Sequence, residues 1–234
     1  MTPPPAAYAV VVPTVGRPCL ADCLAALAAS RGPEPARIVV VDDRPPDGQP
    51  DGPPGGRSAG ELPLEALGPL AGRATVRRSR GRGPAAARNT GIRVVEEPWT
   101  VLLDDDVRVG PAWREELARD LADATPATGG VQGVLRVPLP PGRRPTDWER
   151  NTAGLENALW ATADMAYRTE ALRAVGGFDE RFPRAFREDA DLALRVIDAG
   201  WLIRRGRRRT EHPVRPADRW VSLRVQRGNA DDAL

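Results

Sequence analysis

The sequence predicts an α/β fold with a mostly parallel central sheet, and two features carry that prediction. Short apolar runs at residues 8–12, 38–41 and 100–103 are interleaved with stretches of helical periodicity, the pattern of a sheet covered on both faces. Each run also ends in a polar exit: Thr14 after the first, Asp42-Asp43 after the second, Asp104-Asp105-Asp106 after the third. In such sheets ligands bind beyond the carboxyl ends of the strands, so three polar exits at one edge describe a site. The 234 residues suit one sizeable domain, and neither an internal repeat nor a dividing linker is visible.

The elements follow in order. Residues 8–12 are a first strand and 18–30 an amphipathic helix, with Pro18 near its start, where a missing N–H is harmless. Cys19 and Cys23 lie four apart beside Leu20, Leu24 and Leu27, the spacing of an apolar helix face, so both read as reduced core thiols. Residues 38–41 are a second strand. From 44 to 60 the chain is rich in Pro, Gly and Asp without periodicity, which reads as a mobile loop. A short strand is expected at 75–78, a helix at 84–97, a strand at 100–103 and a helix from Gly110-Pro111 to about Ala122. The second half is less regular: a strand at 129–137, a loop at 138–145, a helix at 147–160 and an extended segment at 162–167. Thr169 then caps a short helix that stops at Gly176-Gly177. A last helix spans 188–199 with Leu192, Val196 and Ile197 inward and Gly200 as its stop. The basic run 204–209 reads as a solvated turn, or as a patch for phosphates or an anionic acceptor.

The triplet Asp104-Asp105-Asp106 is the strongest local signal. A buried strand does not end on three adjacent carboxylates for stability, because like charges repel and resist desolvation. Residues i and i+2 of an extended exit point the same way, so Asp104 and Asp106 can face one ion while Asp105 faces elsewhere. Hard ions such as Mg2+ or Mn2+ take one or two carboxylates and complete their shell with water and phosphates. A solvated acidic loop fits the triplet equally well.

Composition removes other classes. Net charge is +2, and all 34 basic side chains are Arg, spread along the whole chain with few aromatics, so no nucleic-acid partner is expected. No apolar run is long enough for a membrane span, and no basic segment followed by an apolar core opens the chain. A cytoplasmic protein, monomer or homodimer, is the expectation.

Four segments in order carry a resemblance. They are Val10-Val11-Val12-Pro13-Thr14; Val39-Val40-Val41-Asp42-Asp43 with Ala87-Arg88-Asn89-Thr90-Gly91; Leu103-Asp104-Asp105-Asp106; and Val175-Gly176-Gly177-Phe178-Asp179-Glu180 followed by Arg187-Glu188-Asp189-Ala190-Asp191-Leu192. Across about residues 8–213 the chain resembles the family 2 glycosyltransferases, nucleotide-diphospho-sugar transferases. The resemblance implies a three-layer α/β/α, Rossmann-like GT-A fold. It also implies one domain: a nucleotide-binding half at about 8–105, an acceptor and catalytic half at about 106–213, and a tail at 214–234.

The resemblance also implies roles. Pro13, Thr14, Arg17, Asp42, Asp43, Arg88, Asn89, Asp104 and Asp105 would bind the nucleotide-sugar donor, with Asp43 preferred over Asp42 for the base and Arg88 preferred over Arg17 for phosphate. Asp105 would turn toward the ribose. Asp104 and Asp106 would hold Mn2+ or Mg2+, which offsets charge on the departing diphosphate. His212, the single histidine, stands where the family often places a late ligand, although a structural role fits it as well. Asp189, with Glu188 second, would be the general base of an inverting transfer to an acceptor hydroxyl. Asp191 and Arg195 would form a supporting ion pair. On the sugar and acceptor side stand Asp164, Gly177 and Trp148, with Asp164 preferred to Trp148 or Trp160 as a sugar contact.

Two rivals remain. A nucleotidyltransferase of related fold would want a Gly-rich, Lys-bearing phosphate loop, which Pro13-Thr14-Val15-Gly16-Arg17 does not supply. A non-catalytic nucleotide-sugar-binding scaffold would not need the intact triplet or the Glu188-Asp189 pair.

Overall fold

The structure, a computed structural model, describes residues 6–46, 61–182 and 184–215. Residues 47–60 of the loop expected over 44–60, and the tail beyond 215, lie outside the described residues.

Contiguous apolar sequence makes the first strands: β1 (Tyr8–Thr14), β2 (Arg37–Asp42) and β4 (Trp99–Leu103), all buried along nearly their whole length. With β3 (Ala74–Arg78), β5 (Arg108–Val109), β6 (Thr128–Arg136), β7 (Asp164–Arg168) and β8 (Leu202–Glu211) they form one sheet of order β3-β2-β1-β4-β7-β6-β8-β5. The ladder β3-β2-β1-β4 is parallel, β6 and β8 run the same way, and β7 and β5 run against them.

Strand alternation sends successive side chains to opposite faces, and each face has its own core. Val10, Val12, Ile38, Val40, Val101 and Leu103 meet α1 (Cys19–Ala29), α3 (Trp113–Ala122) and a 3-10 helix (Leu64–Arg73). Val11, Val39, Val41 and Leu102 meet α2 (Pro84–Ile92), α5 (Thr169–Ala174) and α6 (Glu188–Asp198). The α/β/α layering expected from sequence is the one observed. Cys23 is buried in the first core and Cys19 is half-buried at its edge, both free.

Several boundaries differ from expectation, each for a local reason. Helix α2 ends at Ile92 rather than Glu97, because Val94-Val95 are β-branched and Pro98 disfavours helix before it. The helix expected over 147–160 is α4 (Asp147–Ala153), capped by the reciprocal Thr146–Glu149 box, and it passes at Gly154 into a 3-10 turn (Gly154–Asn157). Thr169 does not cap α5: its hydroxyl donates to the Glu97 carbonyl at 2.6 Å. Ile197 is 38% exposed instead of inward. The largest correction is the run 204–209, which is not a turn but the middle of β8. Its inward residues are Arg208 and Thr210, both buried, so the strand carries no apolar signature.

Candidate active site

The carboxyl ends of β1, β2 and β4 open into a cleft of about 1430 Å³. Its walls include Pro13, Thr14, Asp43, the triplet Asp104-Asp105-Asp106, Trp148, Glu188, Asp189 and His212. Three strand exits and the start of α6 thus meet where the sequence placed a site.

The triplet divides as alternation requires. Asp105 turns back to β1, accepting from Thr14 Oγ1 at 2.6 Å and Arg17 Nη1 at 2.8 Å. Burial raises its pKa, opposed by Arg17 and Thr14. Thr14 Oγ1 in turn accepts from the Gly16 N–H at 3.0 Å, which fixes the loop after β1. With its oxygens taken up by the protein, Asp105 props the loop rather than presenting a free carboxylate to a ribose. Asp104 accepts from Arg88 Nη2 at 2.8 Å, and Asp106 lies 3.1 Å from Arg215 Nε. The three carboxylates do not face one shared positive charge alone; each has its own arginine.

Asp104, Asp106 and His212 converge nonetheless, each offering a ligand atom within 4.8 Å of the others. The His212 main-chain N–H donates to the Arg136 carbonyl at 2.7 Å, anchoring the residue as it leaves β8. Its Nε2 is 3.6 Å from Asp106 Oδ1, too long for a good hydrogen bond, and its buried Nδ1 has no partner. Two carboxylates and an under-satisfied imidazole are a donor set that suits Mn2+ or Mg2+ completed by water and phosphate oxygens. The residues present fit a divalent cation.

Arg88 connects this cluster to α6. It lies buried on α2 with Nη1 donating to Glu188 Oε1 at 2.7 Å and Nη2 to Asp104, its guanidinium over the Phe178 ring. Burial alone would lower its pKa, but Asp104 and Glu188 outweigh that and raise it. Both nitrogens that would bind phosphate are therefore engaged, and Arg88 acts as a strut between β4 and α6. Glu188 is buried against it, its carboxyl pushed up by burial and pulled back by Arg88. Asp189 differs: it is only half-buried, faces the cleft and accepts from the Ala190 N–H at 2.8 Å. Burial raises its pKa against the opposing pull of that N–H and of Arg88. Asp191 and Arg195 make the expected ion pair at 2.7 Å.

Other candidates are placed differently. Asp43 reaches the cleft but also organises residues 79–83, accepting from Ser79 Oγ, Arg82 N and Gly83 N at 2.7, 3.0 and 2.9 Å. Asp42 is turned away, clamped by Arg44 at 2.7 Å. Asn89 does not face the cleft: Nδ2 donates to Phe178 O at 2.9 Å and to Glu180 Oε1 at 3.0 Å, and Oδ1 accepts from Phe178 N at 2.8 Å. Gly177 serves that contact, since at φ +77° a Cβ would lie 2.5 Å from Asn89 Oδ1. Gly177→Ala is expected to cost about 1–3 kcal/mol in a denaturant melt through backbone strain and crowding. A change near zero would show that the turn can shift.

Trp148 lines the cleft, its Nε1 donating to the Arg215 carbonyl at 3.0 Å. Asp164, the preferred sugar contact from sequence, is wholly buried below the site. It accepts from Trp113 Nε1 at 2.8 Å, Thr210 Oγ1 at 2.6 Å and Arg208 Nε at 2.8 Å. A carboxylate in a buried strand needs such partners, and here they consume it. Sequence reading missed Arg208 and Arg215. The available signal was Asp164 itself, a lone acid in the apolar stretch 161–167 that demands a cation.

This architecture recurs in solved sugar-nucleotide enzymes of the GT-A class. S. aureus TarS 1-349 in complex with UDP-GlcNAc superposes with TM-score 0.63 at 16% identity, over 92% of this chain and 61% of that one. A mannosyltransferase from Pyrobaculum calidifontis in complex with GDP-Man and Mn2+ gives 0.62 at 22% identity, over 94% and 60%. GalNAc-T7 with UDP, GalNAc and Mn2+ gives 0.62 at 17%, over 90% and 44%. Residues 63–179 match the model for Glycosyl transferase family 2, and the chain belongs to that family. A pre-mycofactocin glycosyltransferase of Mycobacterium tuberculosis (strain ATCC 25618 / H37Rv) is 32% identical over 137 residues, which is 53% of this chain and 28% of the relative's length.

Proposed function

We propose that the chain is a metal-dependent, inverting glycosyltransferase that moves a sugar from a nucleotide-diphosphate sugar to an acceptor hydroxyl. The observation that carries this reading is the meeting of the Asp104, Asp106 and His212 cluster with Asp189 in one cleft, braced by Arg88. Similar proteins that hold GDP-Man, UDP-GlcNAc or UDP support a sugar nucleotide as donor.

The nucleoside would lie along Pro13, Thr14 and Asp43 at the ends of β1 and β2, leaving the diphosphate beside Asp104 and Asp106. A divalent cation held by Asp104, Asp106 and His212 would supply Lewis-acid stabilisation of the negative charge on the departing diphosphate. Asp189 takes the proton of the acceptor hydroxyl as that oxygen bonds to the anomeric carbon and the bond to the diphosphate breaks. One displacement inverts the anomeric configuration. Glu188 does not share this work; anchored to Arg88, it fixes the start of α6 and with it the direction of Asp189. Trp148 and the segment 161–163 also line the cleft and would meet the acceptor.

Release of nucleoside diphosphate from a panel of sugar nucleotides, followed against pH with Mn2+ present, tests the reading. The raised pKa of Asp189 keeps its carboxyl protonated to higher pH than an ordinary aspartate. The base form is therefore lost as pH falls through that raised value, and kcat/KM should decline on an acid limb above ~3.9, the ordinary Asp value. A flat profile through that range would remove Asp189 from the mechanism.

A further inference from the structure

β7 and β8 are not neighbours in the sheet; β6 lies between them. Asp164 on β7 nevertheless reaches β8 twice, through Arg208 Nε at 2.8 Å and Thr210 Oγ1 at 2.6 Å. Its carboxylate passes over Gly133 of β6, where a Cβ would stand 2.3 Å from Asp164 Oδ2, so only glycine leaves the passage open. The β6–β8 ladder is irregular at this place: Gln132 pairs with Arg205 but Val134 with Arg209, so β8 uses four residues where β6 uses two. Main-chain pairing across such a bulge does not by itself fix the register, and a slip of one residue turns every later side chain to the other face. On its other side Asp164 is the register partner of Leu103, the residue before Asp104. One buried carboxylate therefore joins the exit of β4, which carries Asp104 and Asp106, to the exit of β8, which carries His212.

We infer that Asp164, through Arg208 and Thr210, is a positioning residue that fixes the register of β8 and so brings His212 to Asp104 and Asp106. The inference rests on the metal reading above and extends it to residues that touch neither ion nor substrate. Trp113 Nε1, at 2.8 Å from Asp164 Oδ2, and Asp120, at 3.2 Å from Arg208 Nη1, complete the knot.

Asp164→Asn would leave buried Arg208 with Asp120 as its one remaining carboxylate and could fail to fold, so the milder Thr210→Val is the test, with Thr210→Ser as its conservative control. The probe is Mn2+ alone, with uptake read as loss of the free-ion electron paramagnetic resonance signal. Thr210→Val is expected to weaken uptake about 10-fold, the scale at which supporting partners act on metal sites, and Thr210→Ser to restore it. His212 is the only histidine, so its imidazole Cε1–H signal stands free of other histidines in the NMR spectrum, and bound Mn2+ should broaden it away in wild type. In Thr210→Val that signal should persist at the same Mn2+ concentration. In a His212→Ala background Thr210→Val should weaken uptake no further, whereas a general structural defect would act equally in both backgrounds. Unchanged uptake in Thr210→Val, or equal losses in the two backgrounds, overturns the positioning role. If wild type and His212→Ala bind alike, His212 is no ligand and this inference falls while the carboxylate site stands. If wild type takes up no Mn2+, the metal reading falls with it.

Discussion

Asp189→Asn is expected to lower the rate of sugar transfer ~10²–10⁴-fold, the usual contribution of a general base, while leaving donor affinity close to wild type. The substitution keeps the shape of the side chain but removes its negative charge and its capacity to take a proton. Asp189 lies half-buried at the first turn of α6, and its pKa is raised by burial. A raised folded-state value means that ionised Asp189 disfavours the folded state at neutral pH, a cost fully present above the folded pKa. Removing that charge should therefore not lower the melting temperature beyond the loss of a favourable helix-dipole contact, about 0.3–1 kcal/mol. A large fall in turnover with donor binding and melting temperature intact is the signature of a base. Normal transfer by Asp189→Asn would place the base elsewhere, and Glu188, buried and held by Arg88, is poorly placed to replace it.

Asp106→Ala is expected to remove the metal-linked part of diphosphate affinity and to weaken Mn2+ binding by on the order of 100-fold or more, at or beyond the 10–100-fold that outer partners cost. Asp106 is central to the cluster, with His212 Nε2 at 3.6 Å on one oxygen and Arg215 Nε at 3.1 Å on the other. Its loss takes away a ligand and leaves Arg215 without that carboxylate. Asp105→Asn provides the contrast. Asp105 belongs to Thr14 and Arg17, so this change should loosen the loop after β1 and leave metal dependence in place. Titration calorimetry with a nucleoside diphosphate, with and without Mn2+, separates the two. Equal metal dependence in both variants would contradict the division of the triplet.

Strands β1, β2 and β4 were legible in sequence because they are buried on both faces and so are written as contiguous apolar runs, as in Val10-Val11-Val12 and Val39-Val40-Val41. β8 was not, because its inward positions are Arg208 and Thr210, made compatible with burial by Asp164 across the sheet and Asp120 on α3. A strand buried through an ion pair has no hydrophobic period. The acidic half of the site was legible for a similar reason: three adjacent carboxylates at a strand exit are conspicuous wherever the chain folds. The work of Arg88 and Asn89 was not, since their partners lie 16 to 100 residues away. Adjacent on α2, they face different ways, Arg88 to Asp104 and Glu188, Asn89 to the turn at Phe178. The same distance in sequence hid the arginine assigned to each carboxylate of the triplet.

That distribution of arginines sharpens the central question, because an acidic triplet already paired with three arginines does not require an ion for its charge balance. Calorimetry of the wild-type chain with a panel of nucleoside diphosphates, in the presence and absence of Mn2+, addresses it most directly. Binding of at least one diphosphate that strengthens about 10-fold or more with Mn2+, and loses that gain in Asp106→Ala, is the expected result. Binding that is the same with and without the ion would contradict the metal-dependent transferase and favour a cleft that holds its ligand without a cation.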